Sequence, residues 1–259
     1  MSEIEPVWSK ELVAWAAERG VLSPKSEDAL QRDSVVSQIE SALEDSYTLE
    51  SGNEVLLVTL MPDDSQSMTI SRKNEGVIEG HNDLLKAFRQ SPAADKILLQ
   101  TRYLNGHVLN PFQPIELCKD LTEQNYRCVY GTPLFEQTIV TLGVVIAKTE
   151  ELLQQGATSV RSATLVMTDA ESTDILETLQ EEVASVIGDI RRIGDHLVAG
   201  MGFSASAGDE AFRRAFIAMG IDPGLVFTAR NRSEILQAFK IFTARALELT
   251  SRDDDRENP

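Results

Sequence analysis

From Glu54 onward the chain alternates short apolar runs with longer stretches whose apolar residues recur every three or four positions. This alternation limits the fold more than any other feature. A short run rich in Val, Leu and Ile, unbroken by polar residues, suits a strand covered on both faces, whereas the three-and-four spacing gives a helix one apolar stripe. Strands are expected at residues 56–61, 96–103, 107–111, 163–168, 195–203 and 225–229. Helices are expected at 82–90, from Thr132-Pro133 to Gln155 with Gly156 as the stop, and at 174–192, 209–219 and 233–249. Strands alternating with helices predict a Rossmann-like α/β fold with a mostly parallel central sheet and helices on both faces. Asn105-Gly106 is a strong hairpin signal and makes residues 107–111 the one antiparallel edge strand.

The segment before this pattern is read as an N-terminal helical extension, residues 1–50. Trp8, Leu12, Trp15 and Ala16 share one side of a first helix that Gly20 closes, and a second helix spans 26–49 after Ser23-Pro24. Residues 51–251 form the α/β domain, and the charged residues 252–259 form a frayed tail. The Ser-, Asn- and Gly-containing stretch up to Gly80 reads as a loop. Trp8 and Trp15 read as anchors docking the extension on its own domain.

Of the 259 residues, 42% are hydrophobic and 25% charged, a globular composition that excludes a wholly disordered chain. With 24 Lys and Arg against 41 Asp and Glu, the net charge is −17 and the pI about 4.6, which argues against nucleic acid as a partner. No apolar window approaches the roughly 20 residues of a membrane span. The N-terminus has acids where a secretory signal needs a basic region, so the expectation is a soluble, cytoplasmic protein without a membrane partner. Cys118 and Cys128 are too few for a disulfide framework and are expected to be reduced and partly buried.

Oxygen-bearing side chains gather after two of the strands. The first core strand runs into Asp63-Asp64-Ser65-Gln66-Ser67, which sets Asp63, Ser65 and Ser67 at alternate positions. Thr132 stands before the long helix, and Asp169 ends the strand 163–168. In parallel sheets, sites form beyond the carboxyl ends of strands, where all three loops fall. Hard cations such as Mg²⁺ take oxygen ligands from several loops, which suits this set. Each residue also has an ordinary reading: Thr132 as a helix N-cap, the aspartates as turn residues, the serines as a solvated loop.

Asp63-x-Ser65-x-Ser67, followed by Thr132 and Asp169 in that order and context, resembles the metal-ion-dependent adhesion site of the von Willebrand factor A domain family. The resemblance covers about residues 54–249. It implies that Mg²⁺ or Mn²⁺ is held by Ser65, Ser67 and Thr132 through hydroxyls, and by Asp63 and Asp169 directly or through waters. It further implies a protein partner presenting an Asp or Glu side chain, in an AAA+ ATPase-associated or a stress or defence complex of bacterial type. Asp64 and Gln66 stand where the family usually has small or apolar residues, Ala170 stands where a glycine usually follows the aspartate, and Pro62 directly before the motif is also a departure.

Other signatures fail. Gly200-Met201-Gly202 comes too late in the chain for a dinucleotide fingerprint and reads as a tight strand exit. His81, His107 and His196 are scattered, and neither a phosphate loop nor a nucleophile elbow is present. The sequence therefore carries no catalytic signature, and no His or Lys stands within the three loops. Two alternatives remain: metal-dependent phosphoester hydrolysis at the same carboxylates, or a structural subunit with a degenerate metal site.

Overall fold

A computed structural model describes residues 9–44, 47, 54–131, 133–169, 177–193, 195–204 and 211–251. Among these residues six strands form one sheet: β1 (Glu54–Met61), β2 (Ile97–Arg102), β3 (Val108–Pro114), β4 (Ser159–Thr168), β5 (His196–Phe203) and β6 (Val226–Ala229). Their order is β3-β2-β1-β4-β5-β6, with every neighbour parallel except β2 and β3. This is the doubly wound order, in which strand progression reverses between β1 and β4 and opens a crevice beyond their carboxyl ends. The expected fold class is observed, including the antiparallel edge strand. Gly106, at φ +95°, turns the hairpin between β2 and β3, a conformation that favours glycine.

Eight helices flank the sheet among the described residues: α1 (Ser9–Glu18), α2 (Pro24–Leu30), α3 (Asp33–Glu44), α4 (Lys73–Arg89), α5 (Leu134–Gln154), α6 (Glu177–Ile193), α7 (Ala211–Ala218) and α8 (Arg232–Thr250). Alternation along β1 shows the two layers. Val55, Leu57 and Met61 join a cluster with α1–α3 and α5–α7, while Leu56, Val58 and Leu60 join one with α4 and α8. α5 is buried along most of its length because α1, α3 and α6 cover the face it turns away from the sheet. Leu12, Val13, Leu30, Val35 and Ile39 share the hydrophobic cluster of α5, so the N-terminal helices are packed into this layer. Among the described residues, no helix is long and apolar enough to cross a membrane.

The structure corrects four local expectations. The helix expected over 26–49 is two helices, α2 lying on α6 and α3 on α5. One straight helix could not follow both surfaces, and the chain bends at Gln31 and Arg32 to bury Leu30 and Ile39 together. The loop expected up to Gly80 is a 3-10 turn, Gln66–Arg72, followed by α4, which starts at Lys73 rather than Asn82. Gly76 and Gly80 looked like loop residues, but they let α4 approach α8. A Cβ on Gly80 would meet the Phe239 ring at 2.1 Å. Gly200 and Gly202 lie within β5, not at a turn, and leave room for Phe216 and Phe212. A Cβ on Gly202 would come to 1.8 Å of the Phe212 ring. Finally, α5 begins at Leu134 with Pro133 at its cap position, while β4 starts at Ser159, ahead of the expected 163.

Trp8, Thr132, Ala170 and the tail 252–259 lie outside the described residues. Trp15 is half-buried and carries the Arg19 guanidinium 4.6 Å from its ring centroid. Cys118 and Cys128 are free and buried.

Candidate metal centre

The β1–β4 register builds the site. Met61 pairs with Val166, so two residues further on Asp63 stands beside Thr168. The Thr168 hydroxyl donates to Asp63 Oδ2 at 2.8 Å, and the Ser65 amide donates to Asp63 Oδ1 at 2.8 Å. Both carboxylate oxygens of Asp63 are thereby fixed. The Ser65 and Ser67 hydroxyls lie 2.9 Å apart, facing each other as alternate positions of an extended turn allow.

Three neighbours clamp this loop. The Leu104 amide, at the tip of the β2–β3 hairpin, donates to the Pro62 carbonyl at 3.1 Å, and the Asn105 amide to Asp64 Oδ1 at 3.1 Å. The buried Tyr126 hydroxyl donates to the Asp63 carbonyl. Ser65 forms a parallel bridge with Tyr130, whose amide donates to the Asp64 carbonyl at 3.3 Å. Met68, fully buried, pins the 3-10 turn that carries Ser67 away toward α4. Short side chains held this firmly lose little further entropy on ligation.

Buried carboxyl groups crowd the site. Asp63 and Asp64 are fully buried. Burial pushes the Asp63 carboxyl above its ordinary value, and the neighbouring Asp169 charge adds to the rise. Burial likewise pushes Asp64 up, to about 7, with the Asp63 charge contributing. Asp169, its side chain 5% exposed, accepts at Oδ2 from Lys73 Nζ at 3.2 Å. Asp169 Oδ1 and Asp64 Oδ2 are buried without a hydrogen-bond partner among the described residues. An unpartnered buried carboxylate oxygen is costly, and a hard cation would satisfy it. Among the described residues no three His, Cys, Asp or Glu side chains converge on a cation position. A metal here would depend on the serine hydroxyls, and an all-oxygen set of hydroxyls and carboxylates suits Mg²⁺ or Mn²⁺.

Of the five residues singled out in the sequence, Asp63, Ser65, Ser67 and Asp169 come to one end of the sheet, and Thr132 lies outside the described residues. Thr168, Tyr126 and Lys73 were missed. Thr168 was legible as the last residue of its strand, one before Asp169. Lys73 was hidden by the reading of its segment as loop, so a lysine does stand at the site although none stands in the three loops. Asp64, read as a departure between motif positions, is a buried member of the acidic cluster.

No family model matches the chain, and no curated protein sequence matches it. Among solved structures, the pilus adhesin SpaC of Lactobacillus rhamnosus GG in its open conformation is similar at 10% identity and a TM-score of 0.51, over 79% of this chain and 31% of that one. A second form of SpaC aligns at 11% identity and a TM-score of 0.50, over 79% and 32% of the two chains. Manganese-loaded TRAP of Plasmodium vivax aligns at 15% identity and a TM-score of 0.47, over 74% of each chain. The chain thus spans about a third of the length of the SpaC structures. At these identities the likeness to SpaC is one of fold alone.

Proposed function

We propose that this chain is a metal-dependent protein-interaction module. Asp63, Ser65, Ser67, Thr132 and Asp169 hold Mg²⁺ or Mn²⁺, and an Asp or Glu side chain of a partner protein completes the coordination. The observation that carries this reading is the pairing of the Ser65 and Ser67 hydroxyls on the loop of buried Asp63, with Asp169 near enough for its charge to act on Asp63 and one of its oxygens without a partner among the described residues, at the point where strand order reverses. The bound ion supplies a positive charge among buried side chains, which makes a contact to a carboxylate stronger than a rim ion pair. The chain's own part is positioning. Thr168 and the Ser65 amide orient Asp63, while Tyr126 and the hairpin tip hold the loop.

Around this crevice Ile70, Val129 and Tyr130 are 63%, 65% and 54% exposed, on the segments that also carry the motif loop and its clamp. Large apolar side chains left in solvent beside a charged centre suit the rim of a protein interface. SpaC, which shares the fold, is a pilus adhesin, in keeping with a binding role. The setting we propose is a bacterial-type intracellular complex, AAA+ ATPase-associated or in stress or defence.

The test is affinity capture in Mg²⁺ and in chelator, with Ser65→Ala/Ser67→Ala as control. The reading expects a partner that chelator releases, that the variant does not retain, and that loses binding when one of its own surface carboxylates is neutralised. Capture indifferent to chelator and to the variant would overturn it.

A further inference from the structure

The acidic crevice already contains a cation of the chain's own. Lys73 opens α4 directly after Arg72, whose φ of +57° reverses the chain between the 3-10 turn and the helix. Its ammonium is thereby delivered to Asp169 Oδ2 at 3.2 Å, in surroundings that leave the lysine side chain 14% exposed and the aspartate 5%. The Asp169 charge raises the cost of ionising Asp63, and the Asp63 charge that of ionising Asp64. A single ammonium offsets part of that repulsion but engages only one oxygen of Asp169, leaving Oδ1 without a partner among the described residues. A divalent ion reaching Asp169 Oδ1 would then lie across one carboxylate from the ammonium, two like charges in a poorly screened place. Lysine suits an occupant that must leave: its charge is a point on a flexible four-carbon stem, without the planar fork that locks arginine to a carboxylate.

We infer that Lys73 is a tethered occupant of the crevice that competes with the divalent ion, so that metal binding displaces its ammonium from Asp169 and the lysine sets the concentration at which the site loads. This rests on the metal-site reading above. It makes Lys73 a positioning residue for the acidic cluster in the metal-free protein and a determinant of metal affinity in the loaded one. The module would then engage its partner only above a set divalent concentration.

The test is calorimetric titration of metal-stripped protein with Mn²⁺ in four forms: wild type, Lys73→Met, Lys73→Arg and Ser65→Ala/Ser67→Ala. Methionine keeps the stem and removes the charge. Mn²⁺ binding should tighten at least about tenfold in Lys73→Met and weaken in Lys73→Arg, whose planar fork holds Asp169 more firmly. In chelator Lys73→Met should melt below wild type, and saturating Mn²⁺ should bring it level or above. If Lys73→Met does not fold, Lys73→Gln takes its place in the same comparison. Mn²⁺ binding that the double serine variant abolishes but that Lys73→Met leaves unchanged or weaker overturns the role of Lys73 alone. No binding in wild type or in Lys73→Met overturns it together with the metal site. Binding in Lys73→Met where wild type shows none is its strongest support.

Discussion

Replacing Asp64 with asparagine removes one buried charge while keeping the side chain's shape and its acceptor for the Asn105 amide. Asp64 is fully buried, has one oxygen without a partner among the described residues, and has its pKa raised from the ordinary 3.8 to about 7. The sign follows from proton binding. Between these values the folded state holds a proton that the unfolded state has released, so this group's contribution to stability falls as pH rises from about 4 to 7 and is flat above. At about 1.4 kcal/mol per pH unit the span corresponds to an upper limit of about 4 kcal/mol, and partial screening within the crevice brings the expectation to about 2 kcal/mol. In urea unfolding of chelated protein at pH 8, Asp64→Asn is therefore expected to exceed wild type by about 2 kcal/mol. The gain should shrink to nothing or reverse near pH 4, and at pH 8 it should be smaller in saturating Mn²⁺, since a bound cation stabilises the carboxylate in wild type. A variant less stable than wild type at pH 8, or a difference that does not vary with pH, would show that Asp64 is not held against its charge.

Other consequences can be measured in the same way. His81 and His196 are held near pKa 4 by burial, His81 against the Thr101 and Asn82 side chains and His196 against the Ser162 hydroxyl. Because these folded values lie below the unfolded ones, their contribution is full above about pH 6.5 and is lost as pH falls toward 4, by up to about 3 kcal/mol each. His196→Gln should flatten the acid limb of the pH–stability curve, and an unchanged limb would contradict the assignment. Gly80→Ala should cost about 1–3 kcal/mol by forcing α4 off Phe239, despite alanine's better helix propensity. Phe239→Leu in the same chain should recover part of that loss, and strict additivity in the double-mutant cycle would mean the two do not touch. Thr168→Val should weaken Mn²⁺ binding several-fold by freeing Asp63 Oδ2, and in chelator it should cost about 1–3 kcal/mol of stability because that buried oxygen loses its donor.

Much of the architecture was legible because its signals are local. Runs such as Leu56 to Met61 and the Asn105-Gly106 turn declare themselves through a few adjacent residues. The failures share one cause, which is tertiary contact overriding a local signal. Gly76 and Gly80 read as loop residues because glycine weakens a helix, yet the lack of a side chain is what α8 requires of them. Gly200 and Gly202 misled in the same way, since the rings they accommodate lie on α7. The bend at Gln31 and Arg32 could not be read either, because only the placement of α5 and α6 demands it. In the candidate site, Asp63, Ser65, Ser67 and Asp169 were legible because spacing and strand ends mark them. Lys73 and Tyr126 were not, since each reaches the crevice from a segment whose path depends on packing elsewhere.

The proposal that this crevice holds a divalent ion through serine hydroxyls meets its sharpest test in calorimetric titration of metal-stripped protein with Mg²⁺ and with Mn²⁺, beside Ser65→Ala/Ser67→Ala. The account predicts one site in wild type and none in the variant, with both folds intact by circular dichroism. Wild-type protein that folds and binds neither ion, or a variant that binds as well as wild type, would contradict it.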